Sequence, residues 1–87
     1  MKYFLIDYLT RDGEHEYTEH AVLSALSSER AYTKAARGRK YFTRYGWEEF
    51  CELSGVYEIP KADFEILGKY LFNINNFLTK KVIYLGR

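Results

Sequence analysis

Arg30, Lys34, Arg37, Arg39, Lys40 and Arg44 fall within positions 30–44 with no carboxylate among them, and Tyr32, Tyr41 and Tyr45 are interleaved. Guanidinium and ammonium groups neutralise phosphates and a tyrosine ring stacks on an exposed base, so the combination suits nucleic acid. Tyrosine and arginine are also enriched at the energetic centres of protein interfaces, so it suits an acidic protein surface equally well. A third reading is internal. Net charge runs −4 over residues 1–29, +6 over 30–44, −5 over 45–65 and +4 over 66–87, and blocks of alternating sign can pair with each other in the fold. The whole chain carries only +1, whereas dedicated nucleic-acid binders are strongly basic. The candidate binding residues are therefore Arg30, Lys34, Arg37, Lys40, Tyr41 and Arg44. A protein or ribonucleoprotein partner is the first reading, and nucleic acid contacted through the same residues is the alternative.

Other reactive side chains are sparse. His15 and His20 lie five apart on a strand-like run, which sends them to opposite faces and keeps them from sharing a metal or a proton. Cys51 is the only cysteine, and its neighbours Glu49 and Glu52 disfavour a reactive thiolate. Glu48, Glu49 and Glu52 read as solvated carboxylates rather than as a metal site. Ala36-Arg37-Gly38-Arg39-Lys40 lacks the glycine spacing and the Ser/Thr of a phosphate-binding loop. No catalytic residue, metal or cofactor is expected, and the sequence points away from an enzyme.

The basic residues need a helix to line them up. Ser27 or Ser28 can cap it, Glu29 suits the positive end of its dipole, and Gly46 can end it after Tyr45. Across that span Ala31, Ala35, Gly38, Phe42 and Tyr45 fall within about an 80° arc, an apolar stripe whose small first half allows close packing. The cations then form one flank of an amphipathic helix. Before it, Tyr3–Thr10 and Glu16–Leu23 flank Asp12-Gly13, a strong hairpin signal. The first run is apolar on both faces, which places it centrally in a sheet, with the more polar second run nearer an edge.

Beyond the helix, Trp47–Gly55 fits either a short helix or an extended segment, and Val56–Ile59 reads as a strand. A second amphipathic helix is expected over Lys61–Phe72, with Phe64, Leu67 and Leu71 at helical spacing and Asn73–Asn76 as its terminator. Leu78–Leu85 reads as a last strand. The expected fold is α+β in one domain, residues 1–87, of order roughly β-β-α-(short α or β)-β-α-β. An antiparallel sheet opens with the N-terminal hairpin, and two main helices pack on one face.

Composition bounds the setting. The chain has 87 residues, 47% of them hydrophobic and 18% aromatic, enough for a thin single core. A lone cysteine excludes an internal disulfide and suits a reducing cytoplasm. Met1–Asp7 is too short an apolar run for a signal peptide or a membrane span.

Lys2–Tyr8, Asp12-Gly13, Glu16–Leu23 and Ser27–Ala36, a strand, turn, strand and alanine-containing helix, resemble short phage and mobile-element proteins, including some anti-CRISPR inhibitors. The resemblance implies a non-enzymatic inhibitor that occludes a bacterial defence complex, and it carries no functional residue over. The lack of strong acidity argues against a DNA mimic.

Overall fold

A computed structural model describes residues 1–45 and 50–78. β1 (Lys2–Asp12) and β2 (His15–Ala25) form the hairpin, but its two-residue turn is Gly13-Glu14 rather than Asp12-Gly13. Gly13 takes φ +65° at the first central position, the place where a primed turn favours glycine. Every cross-strand pair is thereby displaced by two residues from the register that Asp12-Gly13 would set, which leaves the faces unchanged. Phe4, Ile6 and Tyr8 share one face with Ala21 and Leu23, all at 1% exposure or less. Tyr3, Leu5, Asp7 and Leu9 alternate onto the other.

β3 (Phe50–Ile59) pairs antiparallel with the far edge of β1, so β1 is central in the order β3-β1-β2-β4. The extended alternative for the segment after Trp47 therefore holds from Phe50 onward, while 46–49 lie outside the described residues. Ser54-Gly55 does not end an element. The register shifts there, Asp7 facing Gly55 and Tyr8 facing Leu53, so Ser54 is the extra residue of a bulge. The bulge, with Glu52 and Glu58, interrupts what would otherwise be a flat edge open to another strand.

α1 (Ser28–Tyr45) follows β2 directly. The Ser27 hydroxyl accepts the Arg30 N–H at 3.2 Å, and its carbonyl accepts the Ala31 N–H at 3.0 Å, which makes Ser27 the cap. Among the described side chains of α1, Ala31, Ala35, Gly38 and Phe42 are the buried ones, as the periodicity requires, and the side chain of Tyr45 lies outside the described residues. α2 (Lys61–Leu67) begins after Pro60 and ends five residues short of Phe72; Gly68 opens a turn through which the chain descends to the sheet. Phe72 itself belongs to β4 (Phe72–Asn73), which pairs parallel with β2. The fold is α+β, with a mixed rather than wholly antiparallel sheet.

The two helices also occupy opposite faces. Phe64 of α2 packs on Tyr3 with ring centroids 4.8 Å apart, and Tyr3 points away from α1. Topology gives the reason. β2, β3 and β4 all run parallel, so β2–α1–β3 and β3–α2–β4 are crossovers in opposite directions across one sheet. They can have the same hand only by passing over opposite faces.

Asn73 and Asn75 do different work from that expected of a terminator. The Asn73 side chain accepts the Asn75 N–H at 2.9 Å and so caps a helical segment at 74–78. Leu78, expected to open a final strand, lies in that segment, and the rest of the expected strand lies outside the described residues. Asn75 then imitates a β-partner for Ser24: it accepts the Ser24 N–H at 2.8 Å and donates to its carbonyl at 3.2 Å. This closes the edge of β2 where β4 stops. Asn75→Ala leaves the half-buried Ser24 N–H without its partner and should cost about 1–2 kcal/mol. A lowered urea midpoint at unchanged denaturant slope would show it, and an unchanged midpoint would contradict it.

Candidate functional site

The orientation of α1 about its own axis decides which of its side chains face solvent, and that orientation is set from beneath. A Cβ on Gly38 would lie 2.9 Å from a methyl of Ile74 and 3.0 Å from the Tyr8 hydroxyl, so the helix can sit this low only with glycine there. The Tyr8 hydroxyl donates to the Ala35 carbonyl at 2.6 Å, and its ring packs on Phe42 at 4.9 Å between centroids. Burial holds the phenol well above its usual pKa of 10; the nearby Cys51 adds to this and the Arg39 guanidinium opposes it. Cys51 is buried in the same core and is 6% exposed.

With the helix fixed in this way, the six candidate positions separate. Arg30, Arg37 and Lys40 are exposed. Lys34 is not displayed to a partner: its ammonium donates to the Ser24 carbonyl at 2.9 Å, the same oxygen that Asn75 reaches. Tyr41 lies flat on Phe72, centroids 3.8 Å apart and planes 9° apart, with Phe42 and Phe77 at its edges. Both side chains lie beside the apolar arc, on the flank facing β4, where a long side chain can lie over the sheet edge. Arg44 belongs to α1, but its side chain lies outside the described residues. Arg39 is exposed on the opposite margin, in the same direction from the axis as Tyr32, which is 54% exposed.

Among the described residues, internal neutralisation does not reach the outer arginines. The ion pairs among the described residues are Lys2–Glu58 at 3.9 Å, Arg11–Glu16 at 2.9 Å and Asp7–His20 at 2.6 Å. None involves Arg30, Arg37 or Arg39. No carboxylate among the described residues meets the positive ends of these side chains.

Asp7–His20 is an arrangement the sequence reading missed. The two residues face each other across β1 and β2, and Nδ1 of His20 lies 2.6 Å from Oδ1 of Asp7. A turn centred on Asp12-Gly13 would have set Asp7 opposite Thr18, so only the register fixed by Gly13-Glu14 reveals the pair. His15 sits at the turn opposite Asp12, on the other face of β2. Among the described residues no three His, Cys, Asp or Glu side chains come together as metal ligands, and no helix is long and apolar enough to cross a membrane.

The chain matches no protein-family model, no curated protein and no solved structure.

Because the folded state keeps the Tyr8 proton that the unfolded chain releases near pH 10, stability should fall as pH rises above that value, by about 1.4 kcal/mol per pH unit. In Tyr8→Phe this part of the slope is absent, and the loss of the hydrogen bond lowers stability at neutral pH by about 1 kcal/mol. Urea midpoints across the alkaline range compare the two proteins, and parallel slopes would contradict the buried, protonated phenol.

Proposed function

We propose that the protein is a non-enzymatic binding module that holds an acidic surface of a protein or ribonucleoprotein partner against the outer side of α1. One observation carries the reading: Arg30 and Arg37 are exposed on a helix packed rigidly from below, and no carboxylate among the described residues pairs with them. Cations kept apart from the described acids cost little desolvation in the free protein and can pair fully on binding. Such groups speed encounter and select against the wrong partner as much as they add affinity. Lys34 and Tyr41 take a supporting part in this reading, securing the helix to the β4 edge.

Nucleic acid is the less favoured ligand because the chain carries only +1 in total, too little for strong phosphate-driven binding. A cytoplasmic setting suits a chain with one buried cysteine and no possible internal disulfide. Within this proposal, inhibition of a bacterial defence complex by a phage-encoded protein is the biological role that the resemblance of the N-terminal half suggests.

Arg30→Glu combined with Arg37→Glu changes exposed side chains and leaves the core intact, so the circular dichroism spectrum and urea midpoint should stay close to wild type. Recovery of a partner from nuclease-treated bacterial lysate at about 50 mM salt should fall at least tenfold, about 1.4 kcal/mol. Equal recovery by both proteins would contradict the proposal. So would a wild-type protein that retains nucleic acid and no protein from untreated lysate.

A further inference from the structure

We infer that His20 is a phosphoryl-acceptor site, its Nε2 held ready as a nucleophile by Asp7. The pair lies on the sheet face away from α1 and is independent of the basic surface. Nδ1 of His20 stands 2.6 Å from Oδ1 of Asp7. An ionised carboxylate only accepts, so the proton of this bond sits on Nδ1. In the neutral ring that leaves Nε2 with its lone pair, and Nε2 has no hydrogen-bond partner among the described residues.

The sheet holds both groups in place. His20 and Asp7 face each other in the antiparallel pairing of β2 with β1. On the other side of Asp7 stands Gly55 of β3, and the Tyr57 ring leans across it: a Cβ on Gly55 would lie 2.5 Å from the Tyr57 hydroxyl. Leu5 and Leu9, which flank Asp7 on the same face, are half-buried. The Asp7 side chain is accordingly 21% exposed and that of His20 48%. The carboxylate is partly screened from competing water, while the ring reaches into solvent.

The chemistry of the pair narrows its role. Metal ligation needs further ligands, and among the described residues no third His, Cys, Asp or Glu joins these two. Nucleophilic attack needs only the lone pair and a group to offset the charge the ring acquires, and both are present. An acylated imidazole hydrolyses quickly, whereas a phosphorylated one lasts at neutral pH, so a lasting modification here is phosphoryl. The donor is an acyl phosphate or a phosphoramidate. The Nε2 lone pair forms the new N–P bond as the bond from phosphorus to the leaving group breaks, and that group departs with the electron pair. The positive charge left on the ring is offset at Nδ1–H by Asp7. Nε2 is on the far side of the ring, so the incoming phosphoryl group does not meet the carboxylate directly.

Phosphoramidate, whose leaving group is ammonia, tests the site on the full-length protein at about pH 8, where an ordinary imidazole is neutral. His15, exposed and bonded to nothing among the described residues, is the internal reference. Peptide mass spectrometry under alkaline conditions should find Nε2 of His20 phosphorylated at least about tenfold faster than His15. Asp7→Asn keeps an acceptor beside Nδ1 but removes the charge, and should abolish most of that difference. Nitrogen-15 spectra of the wild-type protein should show the neutral His20 ring protonated at Nδ1. Equal rates at the two histidines, phosphate on Nδ1 or no phosphate on either would overturn the proposal. A His20 ring protonated at Nε2 would do so too, whether or not any variant folds. An undiminished rate in Asp7→Asn would overturn the part given to Asp7.

Discussion

The hydroxyl of Tyr8 beneath the carbonyl of Ala35 is the contact on which the rest of the structure depends. It stands at the centre of the central strand, and its ring fills the space between the sheet and α1 beside Phe42 and Ile74. An aromatic ring of this size contributes about 2 kcal/mol through burial, more than its hydrogen bond does. What the hydrogen bond adds is direction. A buried phenol must find an acceptor, and the chosen carbonyl fixes both the height of α1 above β1 and its rotation. Gly38 makes the approach possible, because any side chain there would meet Ile74 and the hydroxyl itself.

Once that rotation is set, exposed and supporting positions divide along the same helix. Positions at the margin of the apolar arc on the β4 side are drawn inward. Lys34 reaches Ser24, and Tyr41 covers Phe72. The Ser24 carbonyl thus receives α1 through Lys34 and the 74–78 segment through Asn75, a meeting point of three parts of the chain that are distant in sequence. Positions further round carry Arg30 and Arg37 into solvent. Among the described residues no carboxylate pairs with these arginines, while Lys2, Asp7 and Arg11 of β1 meet their charge partners on the neighbouring strands.

What could be read in advance was whatever depends on local periodicity. α1 shows its limits in Ser27 and its buried face in Ala31, Ala35, Gly38 and Phe42; β1 shows its central place in having apolar residues on both sides. What could not be read depends on meetings between distant segments. β4 is two residues long and has no period to detect. Asn73 satisfies the composition of a helix end and a helix start alike, and only its hydrogen bond to Asn75 decides between them. The separation of the helices onto opposite faces follows from strand order, which local pattern does not encode. Of the candidate site, the exposed arginines were legible from the helical wheel. The inward turn of Lys34 and Tyr41 was not, since it needs a neighbour at β4.

The link from fold to function is therefore the rotation of α1 over Tyr8, and proton contacts in the NOESY spectrum of the isotope-labelled protein test it most directly. The account predicts contacts from the Tyr8 ring to the Gly38 Hα protons, the Phe42 ring and the Ile74 methyls, with none to Phe64 or Tyr57. Contacts from Tyr8 to Phe64 or Tyr57 would put that ring on the other face of the sheet, and would contradict the register on which the outward placement of Arg30 and Arg37 rests.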